Sequence, residues 1–256
     1  MEVNGYSIEP GALLHNADLR NADLSGASLA AANLSGADLN NANLRMADLS
    51  GADISGAKLR RADLYEADLS HSDLYSADLY EANLSQAELA DADLTGANLY
   101  KANLHSADLS RANLRMADLT DCDMKKANLV DANLSGARLR NANLSMADLD
   151  NSDLSSSDLS GCKFHSAFLR SANLRNADLT VANLYNAKLT DADLTGANLT
   201  GADLSGADLR NANLTGVNLS NANLTITNLS NANLNGVNLT SAKLGGATMP
   251  DGTMHD

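Results

Sequence analysis

Four carboxylates recur at intervals of twenty residues: Asp48, Asp68, Glu88 and Asp108. A fold that stacks them makes a stripe of negative charge. Such a stripe can dock a basic partner or imitate the charge of a nucleic-acid backbone. Asp is also common throughout the chain, so a run of it arises from composition alone. Arg61, Glu81, Lys101 and Asp121 share the same interval but alternate in sign, which stabilises stacked neighbours slightly. Next to them run Arg60, Tyr80 and Tyr100, side chains of the kind that anchor protein interfaces or pack between neighbouring layers. Phe168 stands where Asp or Asn is usual and is a further candidate contact.

Catalytic and metal-binding groupings do not emerge. His15, His71, His105, His165 and His255 share no ligand spacing, and no Ser-His-Asp set or Gly-rich phosphate loop is present. Cys122 and Cys162 both occupy slots otherwise filled by Ala, and their separation implies two unpaired core thiols. We therefore expect no enzyme activity, no cofactor and no metal.

Composition sets further bounds. The formal net charge is -14, which argues against direct nucleic-acid binding because phosphate recognition needs a basic surface. No apolar run reaches membrane-spanning length, and the opening "MEVNGYSIEP" has neither the basic nor the apolar region of a signal peptide. The expected setting is the cytoplasm, without a membrane partner.

The elements that must position these residues are dictated by one repeat. Between Leu14 and Met249, every fifth residue is Leu except Ile54, Met124, Phe164 and Met249. Two residues earlier stands Ala or another small side chain, and between them usually Asp or Asn. A period of five spreads Leu around a helix, so this is no helical pattern. A short extended segment fits: Ala and Leu point inward, Asp or Asn points outward, and the other two residues turn the chain. Gly or Asn fills the second turn position in many repeats, as a type II turn requires. Val181 and Ile226 occupy that slot and resist positive φ, so mixed turn types are expected. Gly36, Gly56, Gly96, Gly136, Gly196, Gly216 and Gly236 are spaced by multiples of twenty, which points to four repeats per coil. Val3, Tyr6 and Ile8 alternate ahead of the repeats as a cap, and "MPDG" marks a closing turn.

The motif A-(D/N)-L-x-x from Ala12 to Met249 resembles that of the pentapeptide-repeat family. The closing "MPDGTMHD" is similar to the ends of cyanobacterial members. The resemblance implies an all-β fold, a right-handed quadrilateral parallel β-helix of about 12 coils. We expect residues 1–11 to cap it, 12–251 to form one β-helix domain and 252–256 to be a tail. Leu64, Leu84, Cys122, Met124, Cys162 and Phe164 then belong to the core. The resemblance also implies a non-enzymatic scaffold that binds a protein, as a monomer or an end-to-end dimer. The alternative is a DNA-mimicking acidic rod that binds DNA gyrase or another basic DNA-binding protein. Family members acting on gyrase dimerise through a C-terminal helical segment, for which no pattern exists here.

Overall fold

The computed structural model describes residues 2–256. Its architecture follows from where five backbone N–H groups per repeat find acceptors. Around Glu88, the Glu88 N–H donates to Ala67 O of the preceding coil, and Leu89 N–H donates to Asp108 O of the following one. Asp91 N–H, past the corner, donates to Ser110 O, and Ala92 N–H closes the corner onto Leu89 O. The fifth N–H belongs to the residue just after Leu. In most repeats its acceptor is a side chain, the Oδ1 of the middle Asp or Asn, as from Ser50 N–H to Asp48 and from Thr95 N–H to Asp93. The Asp/Asn preference of the motif is thus a backbone requirement met by a short side-chain acceptor.

Within each unit, middle residues bridge in parallel to those twenty residues later, as in Asp48 to Asp68 and Asp153 to Asn173. Four repeats therefore complete one coil, and the fold is a right-handed quadrilateral parallel β-helix. Leu and Ala fill its interior. Leu64, Leu84, Met124 and Phe164 have no exposed surface, and Cys122 and Cys162 lie beside them in the Ala slots. Ser72, Ser152 and Ser157 replace Ala and remain buried by donating to the carbonyl three residues earlier. The described residues divide into two compact units, Met1–Asn128 and Leu129–Asp256.

The corners correct the expectation that Val181 and Ile226 avoid positive φ. The second turn residue has positive φ in every repeat from Gly11 to Gly246. Val181 (φ 53°) and Ile226 (φ 60°) conform as well. The corners share the positive φ that type II turns require at that position, because the ladder on either side over-determines the turn. At Val181 the N–H bonds Thr200 O, and at Ile226 it bonds Gly245 O. Giving up the left-handed conformation would cost those bonds.

The ends are built differently from the coils. In the first unit, β1 (Glu2–Val3) and β2 (Tyr6–Ser7) form an antiparallel hairpin. Asp18 N–H, with no preceding coil to bond, donates to the Tyr6 hydroxyl, and the Asn4 amide donates to Asp18 O. In the second unit, Thr248 pairs antiparallel with Met254. Met249 N–H donates to Thr253 O, Gly246 N–H to His255 O, and His255 N–H to Ala247 O. The last residues thereby satisfy one side of the final coil in place of a further coil. Leu234, Leu239 and Leu244 on the other sides stay partly exposed.

Candidate functional site

The first unit carries the largest uncompensated charge. Asp48, Asp68, Glu88 and Asp108 stack through consecutive parallel bridges, and none of them forms an ion pair. The serine two residues on steadies each aspartate. Ser50 and Ser70 donate both N–H and hydroxyl to Asp48 and Asp68, and Ser110 donates its N–H to Asp108. These bonds hold the carboxylates outward without neutralising them.

A second ladder escaped the sequence reading. Asp53, Asp73 and Asp93 bridge in register on the next side of the coil and likewise form no ion pair. Their twenty-residue spacing was a visible signal, but which columns adjoin follows only from the coil. Cations appear at the corner between the two ladders. Arg111 pairs with Asp91 at 2.6 Å and holds its carboxyl below the usual carboxylate range, and His71 lies 3.7 Å from the same group.

Elsewhere on this unit the side chains compensate one another. Tyr80 and Tyr100 stack with ring centroids 5.7 Å apart and planes 15° from parallel. The Arg60 guanidinium lies 4.6 Å over Tyr80, and the Lys101 ammonium 5.2 Å from Tyr100. Arg61 Nε donates to Glu81 Oε2 at 2.8 Å. Asn40, Asn41, Arg60, Arg61 and Tyr80 line a cleft of about 270 Å³. Lys58 holds the middle slot here and has no side-chain oxygen, so the Arg60 N–H turns to Asn40 Oδ1 in the coil before, at 2.9 Å.

Phe168, in the second unit, is accommodated in the same way. It cannot accept the Arg170 N–H, which bonds Asp150 Oδ1 instead at 2.8 Å. The Arg170 guanidinium then pairs with Asp150 at 2.6 Å and lies 5.4 Å from the Phe168 ring. Phe168 is 39 % exposed. His165 and Tyr185 stack nearby in sequence, with centroids 5.3 Å apart. Tyr80 and Tyr100 thus meet each other, while Phe168 has Arg170 against it.

The thiols offer no reactive group. Cys122 Sγ donates to Leu99 O and Cys162 Sγ to Leu139 O, each at 2.8 Å, and burial pushes both thiols well up from their ordinary range. No group of three or more His, Cys, Asp or Glu among the described residues is placed to hold a metal ion. Among the described residues, no helix is long and apolar enough to cross a membrane.

A family model described as "Pentapeptide repeats (8 copies)" matches residues 11–45, 47–86, 77–115, 87–125, 117–155, 157–196, 177–216, 192–231 and 218–255. The chain belongs to the pentapeptide-repeat family. The crystal structure of HetL, a pentapeptide repeat protein involved in heterocyst differentiation regulation in the cyanobacterium Nostoc, is 36% identical. That match covers 93% of this chain and 91% of HetL, with a TM-score of 0.46. QnrB1, a plasmid-mediated fluoroquinolone resistance protein, is 21% identical over 74% of this chain and 90% of its own, with a TM-score of 0.47. A pentapeptide repeat protein of the Arabidopsis thaliana thylakoid lumen is 31% identical over 46% of this chain and 68% of its own, with a TM-score of 0.26. No curated protein matches.

Proposed function

We propose that this pentapeptide-repeat protein is a non-enzymatic scaffold whose first unit docks a basic protein surface. The observation that carries the reading is the pair of adjoining ladders, Asp48, Asp68, Glu88 and Asp108 beside Asp53, Asp73 and Asp93, with no ion pair on any of them. A regular backbone holds these charges in fixed positions, so a partner meets them without an ordering cost. Complementary charge raises the association rate and makes binding salt-dependent.

The spacing favours mimicry of nucleic acid as a second reading. Coils rise by about 4.8 Å, so two ladders present about one charge per 2.4 Å of axis, against about 1.7 Å for duplex DNA. A DNA-binding protein, DNA gyrase among them, is then one kind of basic partner.

Affinity capture from lysate, comparing the native chain with Asp68→Lys, Glu88→Lys and Asp73→Lys combined, tests the docking reading. The triple variant is expected to lose its partners and the native chain to release them as salt rises. Identical captured proteins would overturn the role of the ladders. A gyrase supercoiling assay with micromolar protein tests mimicry, and unchanged supercoiling counts against gyrase as the target.

A further inference from the structure

The cleft lined by Asn40, Asn41, Arg60, Arg61 and Tyr80 lies apart from the two acidic ladders, and its arginines are paired with acidic side chains. Its polar lining is rich in donors. Arg61 spends Nε on Glu81, and Arg60 directs Nε toward Asp78 at 3.5 Å. Among the described residues, the Nη groups of both arginines have no hydrogen-bond partner. Asn40 uses Oδ1 to accept the Arg60 N–H, leaving its amide nitrogen, and the Asn41 side chain has no partner either. Two guanidinium ends and two carboxamides therefore surround one concavity, with the Tyr80 ring beside them.

Three of these donors, Arg60, Arg61 and Asn40, are held before any ligand arrives. Arg60 is held by its stacking over Tyr80, and Tyr80 by its stacking on Tyr100. Arg61 is held by Glu81, and Asn40 by the backbone of Arg60. Preorganised guanidinium forks match a planar carboxylate in bidentate fashion. The surrounding charge selects among oxyanions. Asp78 and Glu81 already balance Arg60 and Arg61, so a dianionic phosphate meets more repulsion than a singly charged carboxylate. Arg60 and Tyr100 cover the faces of the Tyr80 ring, so its edge is what meets an aromatic group next to that carboxylate, in an edge-to-face contact.

We propose that this cleft is a recognition site for a carboxylate of a protein partner, an acidic side chain or chain terminus flanked by an aromatic residue. It does not depend on the acidic ladders. The ladder variants leave it intact, and a basic partner can dock when the cleft binds nothing.

The experiment is an NMR titration of the full chain, following the Nε–H signals of Arg60 and Arg61 and the Tyr80 ring. The probes are N-acetylphenylalanine, its neutral amide and inorganic phosphate. N-acetylphenylalanine is expected to shift all three residues to saturation at millimolar concentration. The amide and phosphate are expected to bind at least tenfold more weakly. Arg60→Gln with Arg61→Gln is expected to weaken N-acetylphenylalanine at least tenfold while amide spectra elsewhere stay unchanged. If that variant misfolds, Asn41→Asp, which adds a carboxylate at the cleft, serves instead and is expected to abolish the shifts. Equal binding of the amide, tighter binding of phosphate, no saturable shift, or shifts untouched by the variants would each overturn the proposal.

Discussion

The fifth N–H of the repeat shows how a single side chain governs what a position tolerates. Where Asp or Asn occupies the middle slot, that N–H is satisfied within the repeat. At Lys58 and Phe168 it is satisfied from the coil before, by Asn40 and Asp150. Phe168 was legible in the sequence as an outlier. Its compensation was not, because Asp150 is a turn residue whose partner is defined only by stacking. The corners teach a related lesson. Val181 and Ile226 hold positive φ, a conformation that costs a β-branched residue about 1–2 kcal/mol. Val181→Asn keeps the turn and relieves that strain, since Asn occupies the same slot at Asn176 and Asn186 with φ 56°. We expect it to stabilise the second unit by about 1 kcal/mol, read as a higher denaturant midpoint. A lower midpoint would mean that Val181 contributes packing that outweighs its strain.

At the scale of elements, the sides of the coil were almost entirely legible and the ends less so. Alternation placed Leu and Ala inside, and the glycine spacing implied four sides, which the parallel bridges display. "MPDG" was readable as a turn, and Gly252 N–H does bond Met249 O. The antiparallel bridge after it was not readable, because Thr253–His255 has no periodic pattern and gains its structure only from open backbone groups on the last coil. Deleting Thr253–Asp256 removes the acceptors of Gly246 and Met249 N–H and the donor to Ala247 O. We expect amide exchange to accelerate over residues 229–249, while residues 2–128 keep their protection, because a repeat array depends on nearest neighbours. Uniform acceleration along the chain would show that the coils unfold together.

Across the whole molecule, the formal charge of -14 is unevenly compensated. The arginines are concentrated on some carboxylates and absent from the ladders. Hydrogen bonding to Arg20 lowers Asp18 to about 2, and Arg61, Arg111 and Arg210 likewise lower Glu81, Asp91 and Asp208. A carboxylate with a depressed folded pKa adds stability above its unfolded value, about 3.9 for Asp, and that share is lost as pH falls through the folded value. The midpoint of thermal unfolding is therefore expected to drop between about pH 4 and pH 2. A direct check is the Asp18 carboxyl titration by NMR. Its midpoint should be about 2 in the native chain and rise toward the ordinary value in Arg20→Gln. An unmoved midpoint would mean that Arg20 is not its cause.

The twenty-residue step also decides which genetic changes this chain can absorb. One inserted residue turns every following inward side chain outward until the register recovers. Five inserted residues restore the alternation but move each later column to a different side. Only a duplication of twenty or a multiple of it, such as a second copy of residues 61–80, leaves every column in place, and that copy adds Asp68 and Asp73 once more to the two ladders. Copying one coil's worth of gene therefore lengthens the charged surface without redesigning it. A binding face of this kind can be fitted to its partner by counting.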